Sequence, residues 1–257
     1  MARGVSHRQR LGRSQLLLLL PALGRRRRCP IETVVEASLD VYSQMALDEA
    51  LLLFSPEEGV TLRFYSWPES SATFGRHQSF QFVEREIKQE GKPALSCTRR
   101  ITGGGLVFHG EDLTFSITFP WKEPITPTEI YQSLHHLIGE ELRQEGISLH
   151  LKSEPSAIAG LNKICFSVPE KSDITALDGA KILGGALCRK NKRGLYQGSL
   201  KTSLISLSLA QIKQAIFRAT SIFGKKNPEE KIPFFERSKI SLLVDKYRSQ
   251  DWRLRVP

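Results

Sequence analysis

The segment that most constrains this chain is residues 99–110, where two arginines precede three consecutive glycines and an apolar run ends in a histidine. Three glycines in a row allow backbone angles that other residues avoid, and they let a ligand lie against the main chain. Arginine adds a fork of donors suited to a carboxylate or a phosphate. The segment predicts a ligand-binding loop beside a strand, with a glycine hinge in a hairpin as the alternative. It is not a Walker loop or a dinucleotide fingerprint, because GK[ST] and the GxGxxG spacing are both absent.

The distribution of charge argues against a nucleic-acid partner. Of the 37 basic residues in the chain, eight lie in residues 1–31, which hold no acidic residue; the remainder has 29 basic and 27 acidic residues. A nearly neutral body offers no broad electrostatic footprint for a phosphate backbone. No apolar run approaches the roughly 18 residues that a transmembrane helix needs, so we expect no membrane partner either.

The N-terminal segment, residues 1–31, is a poor secretory signal, because its apolar run is short and four arginines follow it. It fits a disordered tail, an organelle transit peptide, or sequence upstream of a true start near Met45. We expect a basic tail outside the fold. The expected compartment is the bacterial cytoplasm, or an organelle if the tail is a transit peptide.

The cysteines point to chemistry and not to a metal. Their spacing matches no zinc pattern, so we expect no metal site. Four cysteines without a convincing secretion signal favour a reducing compartment. One of them is a candidate for chemical activity, and the others are expected to be small core residues. They are Cys29, Cys97, Cys165 and Cys188.

Cys165 is the candidate nucleophile, since it lies in a predicted loop with Lys163 before it and serine and proline after it. The thiolate is the reactive form, and a nearby ammonium lowers the pKa of a thiol. Lys181 follows a turn, is flanked by small and apolar residues, and could fold back onto the Cys165 segment. Burying an ammonium is costly, so its place on a buried strand would be unusual. The alternative makes Cys165 a small hydrophobe and Lys181 a solvated turn residue.

Apolar periodicity predicts an α+β fold with a mixed, largely antiparallel β-sheet flanked by helices. Ser43 is the expected N-cap of the first helix. The segments around residues 110–112 are expected to pair as strands. Residues 161–166 are expected to form a loop or short strand. The predicted helices are 43–54, 82–90, 128–146, 209–223 and 238–249, and the predicted strands are 61–67, 72–75, 94–98, 106–109, 113–119, 148–151, 173–177, 181–188 and 194–200.

The order of the motifs carries more information than any one of them. Together they resemble the biotin/lipoate protein ligase superfamily, and most closely its branch of lipoate–protein ligase A and octanoyltransferases. The resemblance implies a catalytic domain over residues 42–224, followed by a C-terminal helical extension over residues 225–257. The motifs are Met-Ala-Leu-Asp-Glu at 45–49, Leu-Arg-Phe-Tyr-Ser-Trp at 62–67, Gly-Arg-His-Gln at 75–78, the glycine segment at 99–110, and Gly-Ala-Lys-Ile-Leu-Gly-Gly-Ala at 179–186.

Within this branch, the cysteine discriminates between two activities. ATP-dependent lipoate ligases activate a free acid and need no nucleophilic cysteine. Cysteine-dependent octanoyltransferases carry a Cys-Phe-x-x-Pro segment shortly before the Gly-x-Lys-Ile strand. Here that segment is residues 165–169, and Lys181 lies 16 residues after Cys165. We also expect too little chain after the catalytic domain for the separate C-terminal domain of many ligases. Both points favour the transferase.

The resemblance then implies a function. An octanoyl group would pass from octanoyl-acyl carrier protein, through a cysteine thioester, to a lysine of a lipoyl domain or of the glycine-cleavage H protein. This transferase would need no cofactor. The alternatives are an ATP-dependent lipoate–protein ligase, which would use ATP and Mg, and a non-catalytic protein that binds lipoyl domains.

The same resemblance assigns the site residues. Cys165 and Lys181 would be catalytic, with Lys181 stabilising the thiolate and contacting the acyl carbonyl. Backbone N–H groups would have to stabilise the oxyanion. The glycine loop would line an acyl tunnel with Arg76 and His109 near its mouth. The expected substrate-binding residues are Arg76, Arg100, Gly103, Gly104, Gly105, His109, Asp173, Gly184, Gly185 and Ala186.

Overall fold

The protein is described by a computed structural model over residues 30–35, 38–121, 124–154, 163–226 and 235–255. The helices are α1 Val41–Phe54, α2 Phe80–Gln89, α3 Pro127–Gln144, α4 Leu209–Ala219, α5 Arg237–Arg248 and α6 Gln250–Leu254. The strands are β1 Pro30–Val35, β2 Val60–Tyr65, β3 Ser71–Phe74, β4 Ser96–Arg99, β5 Val107–His109, β6 Asp112–Pro120, β7 His150–Leu151, β8 Ile174–Thr175, β9 Lys181–Lys190, β10 Arg193–Lys201 and β11 Lys225–Lys226.

Two sheets organise these strands. The large sheet has the order β11-β1-β2-β6-β10-β9-β8-β7, and it is antiparallel from β2 through to β7, with β1 parallel to both of its neighbours. The small sheet has the order β4-β3-β5, with β3 parallel to β4 and antiparallel to β5. The predicted α+β class with a mixed, largely antiparallel sheet is confirmed.

The predicted pairing of the segments on either side of residues 110–112 is wrong. β5 pairs with β3 in the small sheet, whereas β6 lies in the large sheet. Neighbouring strands often pair, which is why the sequence favours a hairpin here. Both edges of β6 are taken, however, by β10 along its whole length and by β2 from Thr114 to Thr118. The short connection therefore carries the chain from one sheet to the other.

The main core lies between the large sheet and helices α3 and α4. Strand side chains such as Phe115 and Ile117 pack there against Leu134 of α3 and Ile216 of α4, all of them fully buried. A second cluster joins α1 to α5 around Met45, Trp67 and Tyr247. A third packs α2 on the small sheet. The glycine segment runs between the two sheets, where these layers meet.

The helix boundaries follow local capping chemistry. Ser43 is not the N-cap of α1; Asp40 is, and its Oδ1 accepts a hydrogen bond from the Ser43 backbone N–H at 2.7 Å. The N-cap therefore lies three residues before the predicted one, and the helix begins at Val41. α3 begins with a reciprocal capping box between Thr126 and Glu129, as the polar residues before its apolar stripe suggest.

The N-terminal boundary of the fold differs from the expectation. β1 begins at Pro30 and adds to the large sheet, so excluding residues through 31 from the fold is wrong for Pro30 and Ile31. Residues 1–29 of the expected tail, Cys29 among them, lie outside the described residues, as do residues 161 and 162 of the expected loop or strand at 161–166. Near the C-terminus, α5 and α6 pack on α1 and β4. Within the described ranges, no helix combines the length and apolar character needed to cross a bilayer.

Candidate active site

Cys165 and Lys181 lie together, as their sequence context suggests. Lys181 Nζ is 3.3 Å from Cys165 Sγ and 2.7 Å from Asp173 Oδ2. The Lys181 side chain is 3% exposed and that of Asp173 is 0% exposed. Burial lowers the pKa of a lysine, but the charges of Cys165 and Asp173 outweigh that cost and raise the pKa of Lys181. The ammonium is therefore held between a thiol sulfur and a carboxylate.

Two backbone hydrogen bonds fix the Cys165 loop against the end of the glycine segment. Leu106 N–H donates to Lys163 O at 2.8 Å, and Cys165 N–H donates to Leu106 O at 2.7 Å. The Gln78 side-chain amide also donates to Lys163 O. A Cβ at position 105 would lie 2.5 Å from Lys163 O, so Gly105 is what permits the two segments to approach. Because its own N–H is bonded to Leu106, Cys165 does not aim that donor at a reacting carbonyl.

Gly184 makes room for the ammonium. A Cβ at this position would stand 2.1 Å from Lys181 Cε and 2.4 Å from Lys181 Nζ, and 3.4 Å from Cys165 Sγ. Contacts under 3 Å cannot be accommodated unless the lysine moves. Gly184, predicted as a substrate-binding residue, therefore leaves space for the Lys181 side chain beside the sulfur.

The Cys165 loop borders a narrow pocket whose cavity volume is about 30 Å³. Its walls come from α1, both sheets and the glycine segment, so several distant parts of the sequence meet there. Of the predicted site residues, seven line this pocket. They are Cys165, Arg100, Gly104, His109, Gly184, Gly185 and Ala186. Other lining residues include Met45, Tyr65, Trp67, Val107 and Gln197.

Arg100 donates its hydrogen bonds mainly to the glycine segment itself. Its Nη2 donates to the carbonyls of Gly103 and Gly105 at 3.0 and 2.8 Å, and its Nη1 donates to Thr73 Oγ1 at 2.7 Å. Burial lowers the pKa of Arg100 to about 10, which still leaves it charged at neutral pH. The guanidinium thus shapes the pocket wall through main-chain carbonyls.

His109 lies within the pocket wall and not at an exposed mouth. Its ring stacks on Trp67 with centroids 4.1 Å apart, and its two nitrogens contact Thr73 Oγ1 and Asp112 Oδ2 at 2.7 and 2.8 Å. Asp112 also accepts hydrogen bonds from Thr114 and Ser199. The ring is therefore held by partners on both sides.

Five predicted residues are not among the pocket-lining residues, namely Lys181 and Gly105, whose contacts are given above, and Arg76, Gly103 and Asp173. Arg76 is exposed, and its backbone bonds to Thr102 while its side chain stays outside the pocket. Gly103 borders a neighbouring open groove that continues past Gly104 and Ala186. Asp173 is fully buried behind Lys181, so it can act on the pocket through that lysine.

A buried polar network on the α1 side of the pocket was not predicted from the sequence. The Asp48 carboxylate accepts hydrogen bonds from Arg63, Tyr65, Ser116 and Gln197 at 2.6–2.9 Å. Asp48 and Arg63 are fully buried and form an ion pair. This network fixes the orientation of the Gln197 amide at the pocket. Asp48, Arg63 and Tyr65 do lie within the motifs at 45–49 and 62–67, and a carboxylate in a mostly apolar helical stretch is a costly placement unless it is paired.

A second missed group lies behind the cysteine. Tyr131 and His135 of α3 stack with ring centroids 3.9 Å apart, and Tyr196 of β10 contacts His135 Nε2 through its hydroxyl at 2.7 Å. Burial lowers the pKa of His135 to about 4, so its imidazole is neutral at pH 7. Its Nδ1 faces the carbonyl of Ser172 and must carry the proton. These residues look like ordinary helix and strand core positions in the sequence.

Comparison with known families decides the identity of the domain. The profile described as lipoyl protein ligase A/B catalytic domain matches residues 40–240. The chain belongs to this family. The superfamily resemblance drawn from the motifs is confirmed.

Curated relatives of the lipoyl ligase family include octanoyltransferases. The chain is 35% identical over 172 residues to "Octanoyltransferase LipM" of Oceanobacillus iheyensis, covering 64% of this chain and 61% of that protein. It is 31% identical over 173 residues to the protein of the same name from Bacillus subtilis, covering 62% and 61%. The match thus spans about three fifths of the length of these curated relatives.

Solved structures with the same fold are lipoate–protein ligases. One, described as lipoate-protein ligase A bound with ATP, is 20% identical with a TM-score of 0.68, covering 90% of this chain and all of that one. Another comes from a bipartite lipoate protein ligase of Thermoplasma acidophilum, with 19% identity, a TM-score of 0.67 and coverage of 90% and 98%. At this identity, the likeness confirms the fold.

Proposed function

We propose that this lipoyl ligase family member transfers an octanoyl group through a thioester on Cys165. The observation that carries the proposal is the 3.3 Å contact between Cys165 Sγ and the buried Lys181 Nζ at the edge of a pocket. A thiol beside an ammonium is an activated nucleophile, and a ligase that activates a free acid with ATP has no use for one. The octanoyltransferase relatives support the same choice.

In the first half-reaction, Cys165 Sγ attacks the thioester carbonyl of octanoyl-acyl carrier protein. A new C–S bond forms to Cys165, and the bond to the carrier sulfur breaks. The proton of the Cys165 thiol ends on the released carrier thiol. Lys181 stabilises the attacking thiolate and the oxyanion, because its ammonium lies beside the sulfur where that charge develops.

In the second half-reaction, the neutral ε-amine of a lysine on a lipoyl domain, or on the glycine-cleavage H protein, attacks the same carbonyl. A C–N bond forms, the bond to Cys165 Sγ breaks, and the proton lost by the amine returns the sulfur to a thiol. Since the incoming thioester is already activated, the reaction consumes no nucleotide and calls for no metal ion. We place it in the bacterial cytoplasm, where a free thiol is maintained.

The walls of the pocket suit an apolar acyl chain. Met45, Trp67 and Val107 supply apolar wall, while the glycines at 104, 184 and 185 leave the backbone accessible. Gly103, Gly104 and Ala186 would guide the chain or the carrier arm where the pocket opens into the neighbouring groove. Arg76 is proposed to contact the carrier outside the pocket, since it is exposed near the loop.

The test is intact-protein mass spectrometry of the enzyme mixed with octanoyl-acyl carrier protein without ATP. We expect a gain of one octanoyl group, about 126 Da, that hydroxylamine removes and that Cys165→Ala abolishes. The adduct should then pass to an added apo lipoyl domain. No adduct, with octanoylation appearing only on addition of ATP and free octanoate, would overturn the transferase and establish the ligase. Binding of the lipoyl domain without turnover under either condition would leave a non-catalytic binding protein.

A further inference from the structure

Behind the reacting sulfur, a buried carboxylate is bound on three sides. Asp173 Oδ2 pairs with Lys181 Nζ at 2.7 Å and accepts a hydrogen bond from the backbone N–H of Glu170 at 2.6 Å. Asp173 Oδ1 accepts a hydrogen bond from the hydroxyl of Tyr131 at 2.5 Å. A carboxylate with three donors and no solvent exposure is matched to its ionised form.

Tyr131 is oriented to serve as one of these donors. Its oxygen accepts a hydrogen bond from the Gly185 backbone N–H at 3.1 Å, and its own proton points to Asp173. Burial, followed by the charge of Asp173, raises the pKa of Tyr131 well above its ordinary value, so the hydroxyl keeps its proton. Tyr131 thereby ties the carboxylate to β9, the strand that carries Lys181.

The Cys165 thiolate cannot serve as a permanent counter-ion for Lys181. Once the sulfur carries an acyl group, it is neutral, and an ammonium that is 3% exposed would lose one of its two negative partners. Desolvation favours the neutral amine in such a place. The Asp173 carboxylate, by contrast, takes part in no bond that the acyl transfer makes or breaks.

We propose that Asp173 and Tyr131 are positioning residues that keep Lys181 cationic after Cys165 has been acylated. Lys181 then polarises the thioester carbonyl in the second half-reaction and does not act as the base that deprotonates the acceptor amine. The charge state of Lys181 stands on the geometry alone, whereas its catalytic consequence rests on the proposed acyl transfer.

Among the residues that the structure describes, Asp173 is the carboxylate in contact with the Lys181 ammonium. The Glu170 carboxylate pairs with Lys163, and Arg100 and Lys201 are cations. His135 is neutral at pH 7 because its pKa lies near 4, and burial keeps Tyr196 protonated. Lys171 lies along the adjoining open groove.

The first test measures the protonation of Lys181 without using any acyl substrate. The protein is labelled with lysine carrying ¹³C at Cε, in a Cys165→Ala background that imitates the neutral sulfur, and Lys181→Gln assigns the signal. We expect Lys181 to remain charged at pH 8 in Cys165→Ala. Adding Asp173→Asn should lower its titration midpoint by roughly one pH unit or more, and adding Tyr131→Phe should lower it by less.

Asp178→Asn is the matched control, because it removes an exposed carboxylate from the following turn and should leave the Lys181 midpoint in place. An equal midpoint with and without Asp173, or a neutral Lys181 at pH 8 in Cys165→Ala, would overturn the proposal. If circular dichroism shows that Asp173→Asn does not fold, the test uses Tyr131→Phe instead. An unchanged Lys181 midpoint in Tyr131→Phe would then overturn the proposal.

The catalytic consequence is tested by single-turnover kinetics with intact Cys165. Asp173→Asn should slow transfer from the preformed octanoyl-enzyme to the lipoyl domain by on the order of tenfold, and slow formation of the adduct by less. Equal slowing of both steps would contradict the assignment to the second half-reaction. If the parent enzyme forms no adduct at all, the proposed function fails while the Lys181 titration keeps its meaning.

Discussion

At the scale of single residues, Gly184 shows how tightly the nucleophile is packed. Replacing it with alanine would place Cβ 2.1 Å from Lys181 Cε and 2.4 Å from Nζ, so the ammonium must leave its position beside Cys165 Sγ. We expect Gly184→Ala to reduce the rate of Cys165 alkylation and of octanoyl transfer by on the order of 100-fold, because small displacements of a reacting group are costly. Gly139→Ala on α3 is the control, since the nearest atom to its Cβ would be a leucine methyl at 3.4 Å, an ordinary van der Waals distance. Equal losses in both variants would show a general packing defect.

Asp112 is the residue whose charge ties stability to pH. Burial would raise its pKa, but the neighbouring His109 and hydrogen bonds from His109, Ser199 and Thr114 outweigh burial and hold the pKa far below its usual value. A depressed carboxylate pKa stabilises the fold above the unfolded value, near pH 4, and that contribution is lost as the pH falls through the folded value. Asp112→Asn should lower the free energy of unfolding at pH 7 by about 2–4 kcal/mol.

Urea titrations of Asp112→Asn and the parent from pH 2 to pH 8 would check this sign. The difference between the two unfolding free energies should be constant above pH 5 and shrink below pH 4. A difference that grows toward acid would contradict the assignment of the charged form to the folded protein.

At the scale of elements, the C-terminal helices support the strand that leads into the glycine segment. Arg99 of β4 donates to the carbonyls of Trp252 and Arg253, and the Trp252 indole N–H donates back to Arg99 O at 2.8 Å. Lys246 of α5 binds both oxygens of Glu49 on α1. The first arginine of the Arg-Arg pair thus anchors the loop from behind, whereas Arg100 shapes it from within.

Removing this support should loosen the loop at a distance. We expect Trp252→Ala to increase hydrogen exchange across residues 99–105 and to lower the free energy of unfolding by about 2 kcal/mol, through the lost indole hydrogen bond and ring packing. Leu242→Ala on α5 is the matched control, because Leu242 is 70% exposed. Faster exchange confined to residues 235–255 would mean that the helices do not hold the loop.

At the scale of the whole molecule, local patterns explain the elements but not all of their partners. Period-2 and helical spacing predicted the long strands β6, β9 and β10 and the helices around them, because each has one face in the core. The meeting of Cys165 and Lys181 was predictable from motif order. The placement of Tyr131, which reaches Asp173 from a helix 42 residues earlier, was not, since a half-buried tyrosine on an amphipathic helix has no distinguishing signal.

The fold also makes the described cysteine thiols differ in reactivity, and one experiment can measure the difference. Burial raises the pKa of the Cys97 thiol and raises that of Cys188 to about 12, which makes both poor nucleophiles at neutral pH. Cys165 alone among these three has an ammonium within 3.3 Å of its sulfur. We therefore expect iodoacetamide at pH 7.5 to modify Cys165 at least roughly tenfold faster than Cys97 or Cys188 in the native protein, as read by peptide mapping. The preference should vanish in 8 M urea and fall in Lys181→Gln, because the selectivity comes from the folded arrangement and not from the local sequence. Labelling of Cys188 as fast as that of Cys165 in the native protein would contradict this prediction. It would show that burial does not suppress the reactivity of the Cys188 thiol.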